Sequence, residues 1–275
     1  MLRKRSYALL LELKPHLDRL QKAVEKPSFI DDDPVQFMHA FADKRDREIA
    51  GFFAALFAWG RRDIVINKTD DLLRRMDYRP YDCVMNYSVR DRDLFSGFRH
   101  RTFKPADIDT YMRAMKQVYR THPDFENYWE TLHHNGDGSI ARLLSDFKRS
   151  FTSLADPFPA RAAKHISDPL GGSTAKRMAM YLRWCSRQNS PVDPGIWTFF
   201  PTSRLVVPFD VHVARQARRY GLLARKTNDW RAVEELQKSL LLLDSDDPSR
   251  YDYALFALGA MEYELPPRFL LNRVR

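Results

Sequence analysis

The sequence predicts an all-α fold, a two-lobed helical bundle, and three observations carry that expectation. Glycine is scarce, at 10 in 275 residues. Apolar residues recur at the three- and four-residue spacing of a helix face from one end of the chain to the other, and alternating apolar/polar runs bounded by turn dipeptides are nearly absent. A chain of this length can bury a proper core without disulfide or metal staples.

Taken in order, Ser6 to about Lys22 is amphipathic, with Leu10, Leu17 and Leu20 near one face; Pro27, the acidic run Asp31 to Asp33 and Pro34 then make a loop. From Asp46, DREIAGFFAALFAWG is apolar nearly all round, the mark of a helix inside a bundle, and Gly60 ends it. RRDIVINKTDDLLRRM gives the next helix, a loop runs through Pro80, and KPADIDTYMRAMKQVYRTH forms a helix opened near Pro105 and closed at His122 and Pro123. NYWETLHH follows, then SIARLLSDFKRSF, capped by Ser139 after the turn from Asn135 to Gly138. PARAAKHISDPLGGSTAKRMAMYLRWCSR reads as helix, tight glycine turn, helix. A connector from Pro191 to Pro201 leads to RLVVPFDVHVARQARRYG, in which Asp210 opens a helix that Gly221 closes. DWRAVEELQKSLLLL and DPSRYDYALFALGAMEY supply the last two helices. One lobe is expected from residues 40–187, ending in the hairpin, and a second from 1–39 together with 188–275.

Lysine and arginine number 45 against 36 aspartates and glutamates, a formal charge of +9, which favours polyanionic partners such as nucleic acid or phosphorylated ligands. The two cysteines, Cys83 and Cys185, stand far apart and form no CxxC pair, so neither a structural zinc nor a four-cysteine cluster is expected, and no cofactor is implied. The apolar run near the N-terminus is broken by Glu12, Lys14 and Pro15, and no stretch approaches the roughly 18 continuous apolar residues of a membrane span. A cytoplasmic, monomeric protein that avoids membranes is the expectation.

Two places carry chemistry. In the hairpin, the backbone N–H groups of Gly171, Gly172 and Ser173 would sit at a helix N-terminus, where the dipole favours a phosphate. Lys164 on the first helix and Lys176, Arg183 and Arg187 on the second would surround it, the last three spaced seven and four apart and so on one stripe. The second place is Asp210, whose commonest role is an N-cap; an acid held there also stays ionised near neutral pH, able to stabilise a developing cation or take a proton from an ammonium. On its helix His212, Arg215 or Gln216, and Arg219 form a polar stripe, while Val211, Val213, Ala214 and Ala217 are expected to pack inward.

The phrases FIDDDPVQF, EIAGFFAALFAWGRRDIVINK, HRTF, KHISDPLGGSTAKRMAMYLRW, VDPGIW, PFDVHVAR, GLLARK and DPSRYDYALFALG resemble, over nearly the whole chain, a bacterial family with no established activity. More distantly, the order of a buried helix, a lysine-bearing hairpin and PFDVHVAR is similar to the helix–hairpin–helix DNA glycosylases, nearest the archaeal 8-oxoguanine branch. That resemblance implies a glycosylase-like fold and DNA as partner. It implies Lys176 as the nucleophile on the sugar's anomeric carbon, and Asp210 as the acid that activates it and steadies the oxocarbenium-like charge. Gly171, Gly172, Ser173, Lys164, Arg183, Arg187, His212 and Arg215 would contact the DNA backbone.

For base recognition, Trp59 and Trp197 could stack on an extruded base, and Asp252 falls where the archaeal branch has a base-contacting acid. The function implied is a DNA-repair glycosylase with abasic-site lyase activity. The alternative is the same fold used only to bind nucleic acid.

Overall fold

A computed structural model of the chain describes residues 6–271. In chain order the α-helices are α1 (Tyr7–Val24), α2 (Gln36–His39), α3 (Lys44–Phe57), α4 (Arg62–Arg75), α5 (Pro80–Asn86), α6 (Pro105–Thr121), α7 (Phe125–His134), α8 (Ile140–Ser153), α9 (Ala160–Ala163), α10 (Lys176–Ser186), α11 (Val211–Arg219), α12 (Trp230–Leu241) and α13 (Tyr251–Ala260). Short 3-10 turns join several of them, and no β-strand occurs among the described residues. The all-α expectation holds. Among those residues no helix is long and apolar enough to cross a membrane.

Local sequence rules account for most helix ends. The Ser139 hydroxyl accepts the Arg142 N–H at 3.2 Å and so caps α8 as expected. Pro80, expected in a loop, instead opens α5, where its missing N–H and fixed φ cost nothing. Gly60 follows α3 with φ +109, and a side chain there would run into the Arg101 guanidinium.

The chain divides into two compact units, Ile30–Ser167 and the residues up to Phe29 together with those from Asp168 on. The expected boundaries at 39/40 and 187/188 are therefore corrected, and the division falls inside the expected hairpin. The glycine turn and α10 belong with the chain ends because the acids that pair with α10 come from α1's end, the 191–201 connector and α13.

In the unit Ile30–Ser167, α3 is the central rod, with every residue from Glu48 to Phe57 buried. Phe52 meets Tyr111 of α6, Phe125 of α7 and Phe147 of α8 edge-on, at ring-centroid distances of 6.1, 5.5 and 6.0 Å, so one aromatic side chain ties four helices. Glu48, fully buried on the same rod, accepts the Phe125 and Glu126 N–H groups at 3.0 Å each and the Tyr119 hydroxyl at 3.2 Å. A carboxylate thus caps the start of α7 from inside the core, where the helix dipole favours it.

In the other unit, α1 buries Leu10, Leu13, Leu17 and Leu20 and packs on α13, which also packs on α11. Gly259 permits the second contact, since a Cβ there would lie 3.3 Å from His212 Cβ. Glu48→Ala is expected to lower stability by about 2–4 kcal/mol, because one buried and one half-buried N–H group lose their acceptor; equilibrium urea unfolding measures it.

Candidate functional site

The site is built from the turn before α10 and the start of α11, both within one unit. Gly172, at φ +87, donates its N–H to Pro169 O at 2.8 Å, and Ser173 donates to Asp168 O at 3.1 Å. The helix begins only at Lys176, preceded by Ala175 in the left-handed region at φ +47. That conformation costs an alanine about 1–2 kcal/mol, and complete burial of Ala175 holds it in place. The expected phosphate cradle is thereby corrected: the Gly172 and Ser173 N–H groups are spent inside the turn, and neither these residues nor Gly171 lies in the first helical turn.

Lys176, the first residue of α10, places its Nζ 2.9 Å from Asp210 Oδ2, with the two side chains 35 % and 27 % exposed. The carboxylate divides its work. Oδ1 accepts the N–H groups of His212 and Val213 at 2.8 and 2.9 Å, capping α11, while Oδ2 faces the ammonium. Partial desolvation alone would raise the Asp210 carboxyl. The Lys176 charge and the two cap N–H groups outweigh it and hold the group below the ordinary carboxylate value. Capping and pairing therefore reinforce each other, and a nucleophile-type amine and an ionised acid stand at one partly open position.

Further along α10 the expected basic stripe turns inward. Arg183 and Arg187 are 4 % and 3 % exposed. Arg187 donates to Asp193 at 2.8 Å, to Asp247 at 2.8–3.1 Å and to Glu25. Arg183 pairs with Asp252 and, at 3.3 Å, with Asp193; Tyr253, under both guanidiniums, donates to Asp193 at 3.0 Å. Burial opposes both charges, yet the surrounding acids keep both guanidiniums above their ordinary value. Their expected contact with a DNA backbone is corrected, since both donor forks are occupied inside the fold.

The remaining candidates separate in the same way. Trp197 is fully buried, edge-on to Tyr181 at 5.4 Å, and is not a stacking surface. Asp252 is bound to Arg183, and its burial pushes the carboxyl above its ordinary value in spite of that partner; the expectation that it reads a base is corrected accordingly. Trp59 is 50 % exposed, with the Arg101 guanidinium 5.5 Å over its ring, and lies in the unit Ile30–Ser167, as does the exposed Lys164. His212 and Arg215 are exposed on α11. Gln216, read as part of the polar stripe, is buried, and Val211, expected inward, is 66 % exposed beside Asp210. Leu170, at the glycine turn, is 62 % exposed. Periodicity could not have found these two apolar side chains, since it assigns every such residue to a core.

The family model described as a protein of unknown function, DUF2400, matches residues 33–261, most of the chain. No curated protein and no solved structure matches it.

Arg187→Ala is expected to destabilise the fold by about 3–5 kcal/mol, since Glu25, Asp193 and Asp247 lose a shared buried partner; a surface phosphate contact would leave thermal unfolding unchanged. Asp210→Asn keeps an acceptor for the cap and removes the ion pair, so Asp210→Ala should unfold more readily than Asp210→Asn by about 1 kcal/mol. Because the folded Asp210 is the stronger acid, its ionic contribution is complete above the ordinary carboxyl value. It is lost as pH falls through the lower folded value, so the parent's advantage over Asp210→Asn should shrink below about pH 4 in urea titrations.

Proposed function

The chain belongs to the DUF2400 family, whose description carries no chemistry, and we propose that it is a DNA-repair glycosylase with abasic-site lyase activity. It acts on a damaged base, with oxidised purines as the first class to try, through Lys176 and Asp210. The observation that supports this reading above all others is the 2.9 Å contact between Lys176 Nζ and Asp210 Oδ2. The two residues are 34 positions apart, and neither side chain is closed off from a ligand.

In the proposed reaction Lys176 yields a proton, for which the Asp210 carboxylate is the adjacent acceptor, and the freed lone pair attacks the anomeric carbon of the damaged nucleotide. A C–N bond to Nζ forms as the glycosidic bond breaks, and the base leaves with the bonding pair and takes up a proton. Once it has passed that proton on to the leaving base, the Asp210 carboxylate, whose ionised form the cap hydrogen bonds favour, offsets the positive charge that develops on the sugar. Opening of the sugar ring leaves a Schiff base on Lys176, from which the strand can be cut.

The finer fold assignment, a helix–hairpin–helix of glycosylase type ending in the glycine turn and α10, is part of the same proposal. His212 and Arg215, exposed on the helix that Asp210 caps, supply backbone contacts in this reading, and the apolar Val211 and Leu170 give the sugar and neighbouring bases a surface from which water is displaced. Trp59 keeps an exposed ring within its own unit, Ile30–Ser167.

Borohydride trapping tests the proposal on oligonucleotides carrying abasic sites and a panel of oxidised, alkylated and deaminated bases. A covalent adduct is expected with the parent and none with Lys176→Ala, while Asp210→Asn, which keeps an acceptor for the α11 cap, is expected to lose base release by about 10²-fold or more. No adduct and no released base across the panel overturns the enzymatic reading and leaves nucleic-acid binding without chemistry.

A further inference from the structure

Helix α11 has two ends with different surroundings. Asp210 caps its start; at the other end, roughly 13 Å along nine residues, Arg215, Gln216 and Arg219 line a recess of about 470 Å³ with Gly259 of α13 and the segment from Glu262 to Glu264. That volume is in the range of about 300–1,000 Å³ typical of small-molecule sites.

The lining is specific in its chemistry. Gln216 is 3 % exposed, and its carboxamide oxygen is buried without a hydrogen-bond partner. Such an oxygen weakens the fold, and a leucine would fill the same space without that cost. Arg215 is exposed and makes no ion pair among the described residues, whereas Arg219 is held by Glu264 at 3.0 Å. Tyr263 is 45 % exposed at the rim. Gly259 lies on the same wall.

We propose that this recess binds a single nucleotide carrying one phosphate group and a base with an exocyclic amine. The free Arg215 fork takes the phosphate. Tyr263 stacks on the base, and the base's N–H donors satisfy the Gln216 oxygen and the Glu262 carboxylate. With Arg219 held by Glu264, one guanidinium is left to take phosphate, which suits a monophosphate rather than a di- or triphosphate. The occupant is either a free nucleotide or one nucleotide of a strand, and the site does not depend on chemistry at Lys176.

Calorimetric titration of the whole chain with AMP, GMP, CMP and UMP, with adenosine and inorganic phosphate as controls, tests this. The amino-bearing nucleotides are expected to bind, with UMP, adenosine and phosphate each weaker by about tenfold or more. Arg215→Ala and Tyr263→Ala are each expected to weaken AMP by about tenfold. Gln216→Leu should weaken AMP similarly while raising the melting temperature of the ligand-free protein, a combination that a packing role for Gln216 would not give. Lys176→Ala should bind AMP as the parent does, which separates this site from the base-excision proposal. Displacement of a single-stranded oligonucleotide by AMP identifies a strand nucleotide as the occupant, and AMP binding without displacement identifies a free one. The proposal is overturned if no nucleotide binds, if the three lining variants leave AMP affinity unchanged, or if inorganic phosphate binds as tightly as AMP.

Discussion

The unit that holds the candidate site depends on the two arginines buried on α10. Arg183 and Arg187 enter the interior as charges, and what makes that tolerable is a set of acids from four distant places: Glu25 after α1, Asp193 in the connector, Asp247 before α13 and Asp252 on it. Desolvating two guanidiniums is costly unless acids pair with them, and here each is paired although Arg183 Nε finds no acceptor. The network therefore specifies where each of those segments must lie, and it allows little slippage of α10 along its axis. Lys176 stands less than two turns before Arg183 on the same helix, so the position of its amine is inherited from the network rather than set by the short exposed turn ahead of it.

Asp210 shows the same economy at smaller scale. A carboxylate that only capped α11 would leave its second oxygen to water; here that oxygen meets Lys176. The acid is fixed by two backbone N–H groups, so its position does not rely on the lysine, and the pair is organised from the acid outward. The same helix ends in the recess around Arg215 and Gln216, and Gly259, by letting α13 approach, shapes that recess and the α11–α13 contact together.

How much of this could be read from the sequence follows from the range of the interactions. The all-helical class, the central burial of α3 and the caps at Ser139 and Asp210 depend on neighbours within four residues, and all were legible. The pairing of Lys176 with Asp210 was reached through resemblance, since nothing local in either segment points to the other. The inward turn of Arg183 and Arg187 was illegible. A basic stripe at helical spacing reads as a solvated face, and the acids that draw it inside lie as many as 162 residues away. The domain boundary was misplaced for the same reason, because α10 belongs with its partners and not with its neighbours in sequence. Pro80 was misread because proline serves equally as a loop residue and as the first residue of a helix.

The excess of nine positive charges locates nothing by itself. Much of the visible charge is neutralised within one helix: Arg142 and Arg149 flank Asp146, and Arg74 meets Asp70. Such pairs follow from helix geometry and contribute little. The Lys176–Asp210 pair differs in kind: its partners come from separate segments, its acid is already committed to a helix terminus, and both groups remain reachable from solvent. A surface ion pair adds little to stability, and this one, placed on backbone that is strained at Ala175 and anchored by a buried charge network, is the feature on which the proposed reaction rests.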